Sequence, residues 1–281
     1  MNREPALLPP GRVAVGRVAG ENNPLEVAGL TKIHYSRQRQ VTAFENLDLS
    51  LSEGEIVVVV GPSGCGKSSL LRCLAGLEPV TQGTVRSGGQ IVSGPMPQIG
   101  FVFQQPVLFP WLTVRKNIEF GLVLKHGPRP EKQKRVSAVE AVLSDVGLRQ
   151  AEHARPRQLS GGMAQRAALA RTLVRQPKVL LLDEPFSALD AITRLEMQKL
   201  LLRLVQGRQM ATLLVTHDID EALFLGDRIL LMNVDPGRFV RDWRLSQPKP
   251  RFHRAHELTE LRLEILAALS DLMDSATGSD R

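Results

Sequence analysis

The chain has 281 residues, 43% of them hydrophobic and 23% charged, which is enough apolar material to bury a sizeable core in one large or two smaller domains. Its apolar runs, at 56–60, 179–182 and 229–232, are far shorter than the roughly 20 residues of a membrane-spanning helix, which excludes a chain that crosses a membrane by itself. The formal charge of +7 invites a nucleic-acid partner, but the basic residues are spread along the chain, aromatic residues make up 4% of it and no nucleic-acid-binding module is visible, so nucleic acid is excluded as well.

In chain order, residues 1–24 lack the continuous apolar core of a secretory signal and read as a flexible cytoplasmic leader. Strand character follows at 25–30 and 43–51, and Gly54 turns the chain into a β-branched run at 56–60, the pattern of a buried strand. That run leads into Gly61-Pro62-Ser63-Gly64-Cys65-Gly66-Lys67-Ser68-Ser69, after which Leu70, Leu71 and Leu74 recur on one face of a helix. Short segments broken by Gly and Pro lie between Gly83 and Phe103. Beyond Trp111 the pattern turns helical, with Val136, Val139, Val142, Leu143 and Val146 on one face, so about 104–175 reads as a mostly helical insert.

A second buried strand at 179–182, a helix at about 192–204 and strands at 211–215 and 228–232 follow; such alternation argues for a parallel, two-sided α/β sheet. After Pro236-Gly237-Arg238 comes a proline-rich connector at 247–250, then an amphipathic helix marked by Leu258, Leu261, Ile265, Leu266, Leu269 and Leu272, expected to pack on its own body. Cys65 and Cys73 suggest neither a metal site nor a disulfide framework.

Two segments carry chemistry on their own residues. Gly61-x-x-x-x-Gly66-Lys67-Ser68, between a buried strand and a helix, has the spacing and context of a phosphate-binding loop. Its backbone N–H groups and the helix N-terminus would point at an anion, Lys67 would neutralise β and γ phosphates, and the Ser68 hydroxyl suits Mg²⁺. Asp183 and Glu184 end the second buried strand, where an open parallel sheet presents its ligands; Asp183 suits the Mg²⁺ shell and Glu184 the alignment of an attacking water. Cys65 inside the loop is expected to be an inert thiol, although the nearby helix N-terminus could lower its pKa.

Leu159-Ser160-Gly161-Gly162-Met163-Ala164-Gln165-Arg166 resembles the signature sequence of ABC ATPases. In the family's order, Gln104 in Phe103-Gln104-Gln105 resembles the Q-loop, Ser187-Ala188-Leu189-Asp190 the D-loop and His217 in Thr216-His217-Asp218 the switch histidine; Tyr35 lies where the family stacks a ring on adenine. The resemblance implies an α/β P-loop NTPase fold of the ABC ATPase type, with a mostly parallel core sheet, an antiparallel β part and a helical subdomain. It runs from about 25 to 245 and leaves 246–281 as connector and terminal helix.

The resemblance also implies a homodimer with composite sites. ATP on Gly61 to Ser69 of one copy would be covered by Ser160, Gly161 and Gly162 of the other. Lys67, Glu184 and His217 would act in hydrolysis, Asp190 would support the facing site, and Ser68, Gln104 and Asp183 would hold Mg²⁺. Met163, the run from Leu108 through Trp111 to Val114, Thr216-His217-Asp218-Ile219-Asp220-Glu221-Ala222 and Pro236-Gly237-Arg238 resemble the nitrate, sulfonate and taurine importer group. Membership there implies a motor on the cytoplasmic face of the membrane, working with two transmembrane permease subunits and, indirectly, an extracytoplasmic solute-binding protein, for a small anionic nutrient. The segment from Gln104 to Trp111 would receive the membrane subunit, unless Phe109 and Trp111 simply belong to the core. A non-transport ABC ATPase usually carries tandem domains or a long coiled coil, and this chain has one phosphate loop and no sustained heptads; an exporter motor is the remaining alternative.

Overall fold

The computed structural model describes residues 23–35, 39–123, 131–252 and 255–277; nearly all of the stretch read as a leader lies outside them. The strands are β1 (Leu25–Tyr35), β2 (Gln40–Leu51), β3 (Ile56–Val60), β4 (Gln82–Ser87), β5 (Gln90–Ile91), β6 (Ile99–Val102), β7 (Val179–Asp183), β8 (Ala211–Val215), β9 (Arg228–Met232) and β10 (Phe239–Arg244). The helices are α1 (Lys67–Leu74), α2 (Val114–Phe120), α3 (Lys132–Asp145), α4 (Gly161–Leu173), α5 (Ala191–Arg208), α6 (Ile219–Leu225) and α7 (Thr259–Thr277).

Two sheets form. One is antiparallel in the order β2-β1-β4-β5, and the other runs β10-β9-β3-β8-β7-β6, parallel except for β10. β3 lies in the middle of the parallel sheet, which is why its five residues are all apolar and all buried. Its side chains alternate between two cores. Ile56, Val58 and Val60 join the helices α2 to α5, whereas Val57 and Val59 join α1 and the antiparallel sheet. Each such side chain contributes about 1.5–3 kcal/mol by leaving water, so a charged residue at Val58 would break both the strand and the loop it carries.

The structure departs from the sequence expectations in four places. β10 was not anticipated, since Phe239–Arg244 mixes charges with apolar residues and pairs only at the sheet edge with β9. The helical insert begins at Val114, and 103–113 contains no helix or strand. Val136 remains 43% exposed, so the buried face of α3 starts at Val139. Leu266 is also partly exposed, because the face of α7 that meets α6 and the core carries Leu258, Leu261, Ile265, Leu269 and Leu272 instead. The connector before α7 is held by Arg251, buried and donating to the carbonyls of Gln247 and Gly226 at 2.8 and 2.5 Å. Among the described residues no helix is long and apolar enough to cross a membrane.

Candidate active site

The strand order places β8 between β3 and β7, so the loops leaving these three strands, and that leaving β6, share the carboxyl edge of the sheet. This is where an open parallel sheet binds its ligand. The first loop runs from Gly61 to Gly66. Gly66 has φ 99°, and a Cβ there would lie 2.7 Å from the carbonyl oxygen of Ala43, so no side chain fits without moving β2. Gly66 precedes α1 without a side-chain cap, and the first turn of α1 has no acidic residue, an arrangement suited to an anion. Lys67 is buried and curls over the loop, its Nζ donating to the carbonyls of Gly61 at 2.7 Å and Pro62 at 2.8 Å. Ser63 and Gly64 lie exposed at the tip.

Ser68 Oγ donates to Asp183 Oδ1 at 2.8 Å, joining the start of α1 to the end of β7. Burial pushes the Asp183 carboxyl above its usual range, against the Ser68 hydrogen bond and the positive charges of Arg72 and Lys67, which favour ionisation. Glu184, the next residue, is left-handed at φ 42°, a conformation costing a side-chain-bearing residue about 1–3 kcal/mol. Its N–H donates to Val215 O at 2.9 Å and its carbonyl accepts the Ser187 hydroxyl at 3.0 Å, and these bonds hold the turn. The carboxylate then meets His217, Oε2 to Nδ1 at 3.0 Å. Gln104 reaches the same region through Nε2 to Ser187 Oγ at 3.3 Å.

Other residues singled out in the sequence stand apart from this cluster. Ser160 caps α4, its Oγ accepting from Met163 N at 3.3 Å, and a Cβ on Gly161 or Gly162 would face Leu189 or Thr193 on the D-loop side. Asp190 caps α5 by accepting from Thr193 N at 3.0 Å, and hydrogen bonding from the Thr193 hydroxyl first and its N–H second holds the Asp190 carboxyl below the usual range. Tyr35 is 70% exposed at the end of β1, and Ser69 Oγ lies 3.5 Å from His34 Nε2. Burial pushes the Cys65 thiol up, with Lys67 opposing, which fits an inert cysteine.

Sequence reasoning gave no role to Thr216, Glu221 or Arg194. Glu221 is buried and accepts the Thr216 hydroxyl at 2.7 Å; burial pushes its carboxyl up to about 7. The available signal was a carboxylate spaced with the apolar Ala222 and Leu225 on the inner face of a short helix.

A phosphate loop facing the buried Asp183, the half-buried Glu184 and a histidine across adjacent parallel strands defines the class of P-loop nucleoside triphosphatases. Residues 44–187, just over half of the chain, match the family model described as ABC transporter, and the chain belongs to that family. An "aliphatic sulfonates import ATP-binding protein SsuB 1" of Xanthomonas axonopodis pv. citri (strain 306) is 50% identical over 236 residues, 83% of this chain and 92% of the relative. An "aliphatic sulfonates import ATP-binding protein SsuB" of Bacillus subtilis (strain 168) is 43% identical over 236 residues, 84% of this chain and 90% of the relative. Among solved structures, a dimeric post-hydrolysis state of the ATP-binding cassette MJ0796 bound to ADP and Pi superposes with a TM-score of 0.70 at 31% identity, covering 80% of this chain and 100% of that one. The chain is an ATP-binding, ATP-hydrolysing motor subunit of an ABC importer.

Proposed function

We propose that the chain works as a homodimer that couples Mg-ATP hydrolysis to import of a small organic anion, a sulfonate above all, through two membrane permease subunits fed by an extracytoplasmic solute-binding protein. The observation that carries the hydrolytic assignment is the pair of contacts at neighbouring strand ends, Ser68 to Asp183 at 2.8 Å and Glu184 to His217 at 3.0 Å. The sulfonate assignment rests on the relatives named for aliphatic sulfonate import. Sheet order and chain length alone would serve an exporter equally well.

Within one protomer, Lys67 leaves the carbonyls of Gly61 and Pro62 to meet the phosphates, and the loop amides and the α1 N-terminus bind the remaining oxygens. Tyr35 supplies an exposed ring for the base. Ser68 and Asp183 would hold Mg²⁺ through hard oxygen donors, with Gln104 as a further ligand, and a cation there would offset the burial of Asp183. The ion would supply positive charge to neutralise the phosphates. Glu184 orients the attacking water and accepts its proton, while His217, tied to Glu184, turns toward the γ-phosphate. The partner's Ser160, Gly161 and Gly162 close the site, and Asp190 supports the facing one. The protomer accordingly resides on the cytoplasmic face of the membrane, where 104–111 meets the permease.

The test uses tagged Glu184→Gln, which retains ATP and loses turnover by a factor on the order of 10² to 10⁴. Recovery with Mg-ATP from detergent-solubilised membranes should yield a multi-spanning permease together with a solute-binding protein. Recovery of ribosomal or DNA-associated proteins instead would leave the ATPase standing and remove the transport reading.

A further inference from the structure

Arg194 lies outside the motifs that face nucleotide, yet it ties two of their loops together. It sits in the first turn of α5, four residues after the capping Asp190. Its guanidinium forks from there. Nη2 donates to the Leu189 carbonyl in the D-loop at 3.1 Å and Nη1 to Asp218 Oδ2 at 3.2 Å. Nε is buried without a hydrogen-bond partner, and Glu221 Oε1 stands 4.0 Å away.

Those contacts converge on the turn that carries His217. Glu221 Oε2 accepts the Thr216 hydroxyl at 2.7 Å, and Thr216 Oγ1 in turn accepts from Asp218 N at 3.0 Å. Asp218 Oδ1 takes the N–H groups of Asp220 and Glu221 at 2.9 and 3.2 Å. Both chain neighbours of His217 are therefore fixed by side chains that Arg194 contacts directly or through Glu221. The imidazole itself is 64% exposed and held mainly by Glu184.

We propose that Arg194 is a positioning residue for hydrolysis, a rigid fork that transmits displacement of the D-loop to the switch turn and so sets His217 against Glu184. A planar guanidinium holds two acceptors at fixed relative angles, which a point-like ammonium does not. The unpaired Nε marks the second position of the device. A shift of about 1 Å brings it within hydrogen-bond range of Glu221, and a displacement of that size in a reacting constellation is worth about 10²-fold in rate. A partner protomer pressing on Ala188 and Asp190, the exposed residues that flank the buried Leu189, would supply the shift, linking dimer closure to the histidine. The inference rests on the roles proposed above for Glu184 and His217.

The experiment compares Arg194→Met, which retains most of the aliphatic stem, with wild type in steady-state ATP hydrolysis by the full chain. The expected result is a 30- to 100-fold fall in kcat with KM for ATP within threefold. Arg194→Lys should recover the melting temperature and leave kcat at least tenfold down. In a His217→Ala background, Arg194→Met should lower the residual rate by less than twofold. The proposal is overturned by unchanged kcat, by kcat restored in step with the melting temperature in the lysine variant, or by full additivity with His217→Ala. Should the methionine variant melt below assay temperature, the lysine variant carries the same comparison, since it keeps charge and stem. Wild-type turnover in His217→Ala alone would instead sink the assignment of the histidine, and is read separately.

Discussion

Helices α1 and α4 begin with the same electrostatic resource and use it differently. Neither has an acidic residue in its first turn, so each directs a positive end toward whatever stands before it. At α1 the preceding residue is Gly66, which offers no side-chain acceptor, so the orphan N–H groups are left to a ligand. At α4 the preceding residue is Ser160, whose hydroxyl already accepts from Met163 N at 3.3 Å. The glycine-capped terminus, with Lys67 folded into its own loop, offers every group that the proposed phosphate site needs within one chain. The serine-capped terminus packs beside Leu189 and Thr193 with its cap hydrogen bond already made, and under the proposed function it would be half of a site completed by a second chain.

The sharpest way to break this contrast is at Lys67. Replacing it by alanine should lower the ATP affinity of the dilute protein about 100-fold, roughly 3 kcal/mol, as charge-assisted hydrogen bonds to phosphate are lost. Titration calorimetry reads the change directly. Wild-type affinity would mean that the amides of the loop suffice and that Lys67 only packs.

A third helix start, that of α6, extends the contrast because it is filled by the chain's own carboxylates. Asp218 caps it, and Asp220 and Glu221 occupy its first turn, so it has no vacancy for a phosphate. Burial holds Glu221 near 7, far above the value of about 4.3 expected in the unfolded chain. Asp218 raises it further, while the Thr216 hydroxyl, Arg194 and His217 pull it down. A raised carboxyl keeps its proton in the folded state while the unfolded state has lost it, so stability falls as pH rises from about 4.3 to about 7 and then levels off. Glu221→Gln should therefore melt higher than wild type at pH 8, by an amount on the order of 3–4 kcal/mol at most, with the difference vanishing near pH 4. A variant that is less stable at pH 8 would show that Arg194 already pairs with an ionised Glu221.

Ser160→Ala probes the other member of the pair with a smaller effect. Loss of the cap costs about 1 kcal/mol of stability, and ATP affinity in the dilute monomer should not change. Turnover at concentrations that favour the dimer should fall about tenfold, the equivalent of roughly 1.4 kcal/mol. A loss of monomer affinity would place Ser160 in its own chain's site and remove the division between the two termini.

The parts legible in the sequence are those written contiguously. Gly61 to Ser69 displays its strand, loop and helix within a few residues, and the apolar runs of β3, β7, β8 and β9 announce a buried parallel sheet. Strand order was not legible, and with it the fact that β8 lies between the phosphate loop and the carboxylates. Arg194 and Glu221 escaped for the same reason. In the sequence they are a basic and an acidic residue on two separate helices, and only the fold brings their side chains to 4.0 Å. β10 escaped because an edge strand with one exposed face needs no apolar run.

The smallest expected effect tests where chemistry ends and recognition begins. Trp111 is 68% exposed, whereas Phe109 is half-buried between Phe120 at 4.6 Å and Trp111 at 5.5 Å, with the Arg171 guanidinium 5.8 Å from its ring. An exposed ring on the loop before α2 is not core, so the reading of Trp111 as a packing residue does not hold, although Phe109 does pack. Trp111→Ala should change stability by less than about 0.5 kcal/mol and leave ATP hydrolysis by the isolated chain untouched. In membranes containing the permease it should uncouple transport from hydrolysis, since an exposed indole in this loop is the kind of group that fills a partner's pocket. Loss of hydrolysis in the isolated chain to the same degree as transport would assign this loop to the catalytic edge rather than to the membrane subunit, and would move the boundary between the two regions from Gln104 forward to Thr113.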